Sequence, residues 1–380
     1  MRSPAELRRQ HVVSAQRVVV KVGTNVLAAP GRPLDDDRVC GIAEQIARLV
    51  ETGRQVSLVS SGAIGCGMSE LGIAARPTTL PLLQAAASVG QGKLVAHYER
   101  HFRRHGLHAA QILLTREDFD DRQRYLNASN TLHALLDFPC VPVINENDTI
   151  STDEIKFGDN DRLAALVTHL VRAELLVLLT SVPGLYAEKP GPDGEGRVLD
   201  VVESVDEDVQ QLVYDETTPD GLGGMDSKLE AARVAVEAGE AAVIADGRDP
   251  EILDKLVAGQ TVGTLFVPGA ERLSSYKRWL RFTSRPRGSL RVDEGARRAL
   301  VERGKSLLPI GVTEVDGEFE LGDVVRILGP QGAEVARGLA NYSADEMRRI
   351  KGCQSSEIEA ILGHRDYDEV VHRDNLALVN

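Results

Sequence analysis

Val141-Pro142-Val143-Ile144 runs directly into Asn145-Glu146-Asn147-Asp148-Thr149-Ile150-Ser151-Thr152-Asp153-Glu154-Ile155-Lys156-Phe157-Gly158-Asp159-Asn160-Asp161, and a helical pattern starts near Leu163. A short, continuous apolar run before polar residues and a helix reads as a strand covered on both faces, as in a parallel sheet. The polar residues that follow crowd carboxylates and amides around one lysine. Their mutual repulsion calls for an ammonium, a metal or a network of donors, so the segment reads as a site.

The same rhythm extends on both sides. Val18-Val19-Val20, Val56 to Val59, Ile112 to Leu114, Leu175 to Leu179 and Ala242 to Ile244 are apolar runs of strand length. Between them Val39, Ile42, Ala43, Ile46, Leu49 and Val50 form one helical stripe that stops at Gly53, and residues 128–136 and 163–171 repeat the pattern. Strands alternating with helices predict an α/β domain with a mainly parallel central sheet. The expected divisions are a loose N-terminal tail over 1–15, a catalytic domain over 16–270, a linker over 271–287 and a small β-rich domain over 288–380. The last rests on Phe319 to Ile327 and Ala333 to Gly338, which read as short strands with glycine turns.

Composition narrows the function. The 380 residues carry a net charge of −13, which disfavours a general nucleic-acid binder. Residues 288–380 hold 12 Lys plus Arg against 17 Asp plus Glu, a balance of −5, and this weighs against RNA. Four separated cysteines, Cys40, Cys66, Cys140 and Cys353, fit a reducing compartment. No signal peptide is expected. The longest apolar stretch, Leu163 to Leu179, is broken by His169, Arg172 and Glu174, so no membrane span is expected and the location read from the sequence is cytoplasmic.

In an open α/β sheet, ligands bind at the carboxyl ends of the strands. The first strand ends Lys21-Val22-Gly23-Thr24-Asn25, and the second ends Ser60-Ser61-Gly62-Ala63-Ile64-Gly65-Cys66-Gly67, a small-residue turn. Gly221-Leu222-Gly223-Gly224-Met225-Asp226-Ser227-Lys228 precedes a helix, with Ser227 and Glu230 as a capping-box pattern that puts Lys228 in the first turn. A cation there opposes the helix dipole, a cost that a bound polyphosphate offsets. None of these loops is a Walker A motif: Gly92-Lys93 is followed by Leu94, and Ala299 stands where Gly304-Lys305-Ser306 would need its first glycine. Two lysines, an acidic cluster and a glycine loop suggest phosphoryl transfer by positioning and charge neutralisation. A carboxylate acceptor fits, because it is already ionised at neutral pH and needs no base.

Together these motifs, in this order and spacing, resemble the amino acid kinase family and, within it, the members that phosphorylate glutamate. Val292 to Ala296, Ser306 to Pro309 and Gly322 to Val325 resemble a PUA domain. The resemblance implies a three-layer amino acid kinase-like sandwich and transfer from ATP, with Mg2+, to the γ-carboxylate of L-glutamate, opening proline synthesis. It implies Lys21, Lys228 and Asp161 as catalytic residues, and Ser61, Asp148 and Asn160 as glutamate ligands. Lys21, Thr180, Ser181, Leu222, Gly223, Gly224, Met225, Asp226, Ser227 and Lys228 are implied as ATP contacts. No protein metal ligand is implied. Ser181 stands where family members often carry aspartate. Proline inhibition, a homo-oligomer (dimer or tetramer) with Tyr276 to Phe282 as a candidate interface, and coupling to a glutamyl-phosphate reductase are further implications. Lys156, by position, is a candidate to close over the substrate. The alternatives are a kinase of the same fold acting on N-acetylglutamate, aspartate, carbamate or UMP, or an RNA-binding regulator.

Overall fold

The computed structural model describes residues 2–29, 32, 34–150, 160–188, 196–212, 224–269, 277 and 279–379. Two compact units divide the chain, Met1–Arg272 and Leu273–Asn380. The first unit contains β1 (Arg17–Val22), β2 (Gln55–Ser60), β3 (His108–Leu114), β4 (Cys140–Glu146), β5 (Leu175–Thr180), β6 (Val201–Val202), β7 (Ala241–Asp246) and β8 (Thr264–Phe266). They form one sheet in the order β3-β4-β2-β1-β5-β7-β8-β6, parallel from β3 to β7, with β8 antiparallel to β7. All six predicted strands are present. Strands β6 and β8 were not expected, because two or three residues carry no legible period.

Valine and leucine fill the central strands, and every interior position of β1, β2 and β5 is buried. Helix Asp36–Glu51 starts on Asp35, whose carboxylate accepts from the N–H groups of Asp37 and Arg38, and buries the predicted stripe except Val50, which is half-buried. Gly53 follows in a left-handed conformation at φ 88°, which a side chain would resist. β1 connects onward to β2 on one side, whereas its other neighbour, β5, connects onward to β6 and β7 on the far side, so the chain leaves this adjacent pair in opposite directions. That makes the carboxyl ends of β1 and β5 the switch point where a ligand crevice opens.

Helices Ala63–Glu70 and Leu80–Phe102 pack unusually close. A Cβ on Gly67 would lie 1.7 Å from the Ala86 carbonyl oxygen, and one on Gly90 would lie 1.8 Å from that of Ala63. These glycines allow backbone to touch backbone. The segment after Gly62, expected as a turn, is helical from Ala63.

The N-terminal tail differs from expectation. Pro4–Arg8 is a helix with a Ser3–Glu6 capping box, and Leu7 and Val12 are buried. Arg8 is fully buried, and its guanidinium donates to the carbonyls of Asp200, Val262 and Gly263 at 2.7–3.0 Å. An arginine that satisfies three carbonyls ties the segment down, and sequence pattern gives no sign of it.

The second unit holds β9 (Gly288–Val292), β10 (Val312–Gly317), β11 (Val324–Leu328), β12 (Glu334–Leu339) and β13 (Leu376–Leu378) in the order β10-β9-β11-β12-β13. Leu290, Val325, Ile327, Leu300, Tyr342 and Ile350 are among its core residues. The strand expected from Phe319 begins only at Val324, since Gly322 turns the chain at φ 89°. Within the expected linker, Trp279–Thr283 forms a π-helical turn in which Trp279 and Leu280 are buried. These two residues are not an exposed interface pattern; Tyr276 and Arg278 lie outside the described residues.

Candidate active site

Asp161 is the centre of the site. It is the second residue of helix Asn160–Leu170 and is completely buried, where an unpaired carboxylate would be costly. Lys21, at the end of β1, places its Nζ 2.6 Å from Asp161 Oδ1, and Lys228 places its Nζ 3.0 Å from Oδ2. Both lysines are about 95% buried. Ser227 Oγ donates to Oδ2 at 3.0 Å. Burial pushes the Asp161 carboxyl up, but the two ammonium groups outweigh it and hold it down to about 2. Two cations and one anion leave a net charge of +1, so the arrangement attracts an anion.

The helix that carries Lys228 runs Met225–Glu237 and begins three residues earlier than the capping-box reading implied. Gly224 is the N-cap, and Ser227 Oγ turns back to the Gly224 carbonyl and to Asp161. Lys228 nevertheless stays in the first turns, with its dipole cost offset by the Asp161 carboxylate.

A second chain of hydrogen bonds runs through the amides. Asn160 Nδ2 donates to Ser61 Oγ at 2.8 Å and to Asn145 Oδ1 at 2.9 Å, and Asn145 Nδ2 donates to Gln91 Oε1 at 2.8 Å. Gln91 was absent from the sequence reading. Its signal was a polar residue on the apolar stripe Ala87, Leu94 and Tyr98, where a buried amide must have a partner.

An open cavity of about 160 Å³ lies over these groups. Lys21, Ser61, Asp148, Asn160, Thr180, Ser181 and Lys228 line it, together with the Gly62-Ala63-Ile64-Gly65 segment and Arg76. Asp161 stands behind the lysines. Asp148, half-buried, has its carboxyl raised to about 6 by burial, with Arg76 opposing the shift. Gly224, Met225, Asp226 and Ser227 are close in sequence but are not among the lining residues. Leu222, Gly223 and Lys156 lie outside the described residues. Among the described residues no cluster of three metal-ligating side chains occurs, and no helix is long and apolar enough to cross a membrane.

A mainly parallel sheet in which a strand-end lysine and a helical lysine, both buried, converge on one helical aspartate, beside a pocket of amides and a carboxylate, defines a phosphotransferase of the amino acid kinase type. The sequence matches the amino acid kinase family over residues 16–246 and the PUA domain over 288–362. A curated glutamate 5-kinase of Caldanaerobacter subterraneus subsp. tengcongensis is 47% identical over 96% of this chain and 98% of its own. Another, from Thioalkalivibrio sulfidiphilus, is 48% identical over 98% of this chain and 99% of its own. A solved UMP kinase from Bacillus anthracis covers 67% of this chain and 97% of its own at 16% identity and a TM-score of 0.47. The chain belongs to the amino acid kinase family and, within it, to the glutamate 5-kinases, with a C-terminal PUA domain.

Proposed function

We propose that this site transfers the γ-phosphoryl group of ATP to the γ-carboxylate of L-glutamate, giving L-glutamyl 5-phosphate for proline synthesis. The observation that carries this reading is the Lys21–Asp161–Lys228 cluster facing a cavity lined by Ser61, Asn160 and Asp148. A γ-carboxylate oxygen attacks the γ-phosphorus, a new P–O bond forms, the bond to the bridging oxygen breaks, and ADP leaves with the electron pair. No proton has to move. The barrier is bringing two anions together, and the lysines lower it by neutralising the equatorial oxygens. Asp161 positions them without touching substrate. Mg2+ belongs on the ATP phosphates and water, a mode that suits an octahedral ion without a dedicated protein cage.

Ser61 and Asn160 bind glutamate, and Asp148 takes its ammonium. Thr180, Ser181 and the Leu222–Lys228 segment contact ATP. The need for an ammonium partner separates glutamate from N-acetylglutamate, whose neutral amide would leave the Asp148 charge unmatched. Proline carries the same ammonium and carboxylate without a reacting side chain, so it acts as an inhibitor at the same pocket. The enzyme works as a homo-oligomer in the cytoplasm, and its labile acyl phosphate passes to a reductase. The domain division 16–270 and 288–380 keeps catalysis in the first unit.

Glutamate-dependent ADP release in the presence of hydroxylamine, which traps an acyl phosphate as the hydroxamate, tests the reading. Equal rates with and without glutamate, or turnover of N-acetylglutamate alone, would refute it.

A pH dependence follows from Asp148. Its folded value near 6 stands above the ordinary 3.8. The folded state therefore holds the extra proton between about pH 4 and 6, and stability falls as pH rises through that window. Glutamate binding has the opposite slope, since only the ionised carboxylate attracts the ammonium. Initial rates should show kcat/KM for glutamate falling about tenfold per unit below pH 6. Asp148→Asn should remove that limb, raise the glutamate KM by about 10- to 100-fold, and melt higher than the parent at pH 7.5.

A further inference from the structure

Glutamate presents three charges, and the two lysines and Asp148 match two of them. The γ-carboxylate goes to the lysines and the ammonium to Asp148. The α-carboxylate needs a cation or a set of donors next to the ammonium's partner. Three cationic side chains line the cavity among the described residues: Lys21, Lys228 and Arg76. Both lysines are drawn to the phosphoryl end by Asp161, at 2.6 and 3.0 Å. Arg76 lies elsewhere, in the segment between helices Ala63–Glu70 and Leu80–Phe102, and is exposed at the cavity wall. Its charge reaches Asp148, whose carboxyl it pulls down against the effect of burial. A guanidinium and a carboxylate that face one cavity without forming an ion pair within 4 Å leave room for a zwitterion between them.

We propose that Arg76 binds the α-carboxylate of the amino acid substrate, forming with Asp148 a two-point reader of the zwitterionic α-carbon, and so determines the preference for a free α-amino acid over its α-amide. The inference rests on the glutamate reading above. A planar fork matches a carboxylate through two parallel hydrogen bonds, whereas an α-carboxamide offers one acceptor and turns donors toward the cation. Arg76 touches the substrate far from the transferring phosphoryl group. It therefore contributes binding that is equal in ground and transition states, which sets KM rather than kcat.

The test compares L-glutamate with its α-amide, isoglutamine, which retains the ammonium and the γ-carboxylate, in the full chain and in Arg76→Ala and Arg76→Gln. With Arg76 present, kcat/KM favours glutamate. Both variants should raise the glutamate KM by about 10- to 100-fold, leave kcat and the ATP KM within about threefold, leave the isoglutamine KM nearly unchanged, and so collapse the preference. Arg76→Lys, which keeps the charge and loses the fork, should fall between. A preference retained in both variants overturns the proposal and assigns the α-carboxylate to the backbone N–H groups of the Gly62–Ile64 segment. An equal KM rise for both substrates also overturns it, because Arg76 would then act through Asp148. If the unaltered chain fails to phosphorylate glutamate at all, the glutamate reading itself fails, an outcome distinct from either.

Discussion

Lys228→Ala lowers kcat by about 10²- to 10³-fold while the glutamate KM changes by less than about threefold. In the proposed reaction the ammonium meets oxygens whose charge redistributes only as the P–O bond breaks, so its contribution is expected in the transition state. It is also preorganised, because Asp161 holds it at 3.0 Å before any ligand arrives. Lys228→Arg rescues poorly, since a guanidinium cannot occupy a buried position shaped around one nitrogen between Asp161 and the Gly224 carbonyl. Steady-state kinetics with saturating ATP checks the split. A KM rise at constant kcat would mean that Lys228 only holds the nucleotide.

Gly90→Ala has the largest effect expected on folding, although the residue touches no ligand. Its Cβ would meet the Ala63 carbonyl at 1.8 Å and the Gly67 nitrogen at 2.4 Å, so the two helices must separate. Overpacking of this kind costs about 1–3 kcal/mol or more. Ala63 directly follows Ser61 and Gly62, so the displacement also reaches the cavity proposed to bind glutamate. Gly92→Ala is the matched control on the same helix. Nothing lies within 4 Å of its added Cβ, and alanine is the better helix former by about 1 kcal/mol. Thermal melts should show Gly90→Ala well below the parent and Gly92→Ala equal to it or above it. Comparable melting of all three would mean that the close helix contact carries little of the fold.

The sequence disclosed what depends on local pattern. Parallel strands buried on both faces are apolar runs, so β1, β2, β4 and β5 were legible, and with them the strand-end residues Lys21, Ser61 and Asn145, whereas Thr180 came from the resemblance. Asp161 and Lys228 lie 67 positions apart, and the resemblance brought them together before the distances did. Tertiary compensation stayed hidden. Gly67 and Gly90 look like breakers, because the backbone contact they permit appears only in three dimensions. Arg8 looks like a surface residue until its three carbonyls are in place. Gln91 joins the site by its hydrogen bond with Asn145 and Arg76 by lining the cavity that Asp148 also lines, and no spacing rule encodes either. Lys228 was placed on the correct helix but counted from the wrong cap, since Ser227 bonds to Asp161 rather than serving as the N-cap.

Whether Lys21 and Lys228 act on one transferring phosphoryl group is decided most directly by a crystal structure with Mg·ADP, aluminium fluoride and L-glutamate. Both Nζ atoms should lie within about 3 Å of the planar fluoride group, with Asp161 still bridging them and the γ-carboxylate in line. Fluoride bound away from either lysine, or the two ammonium groups parted by the ligand with Asp161 on neither, would contradict it.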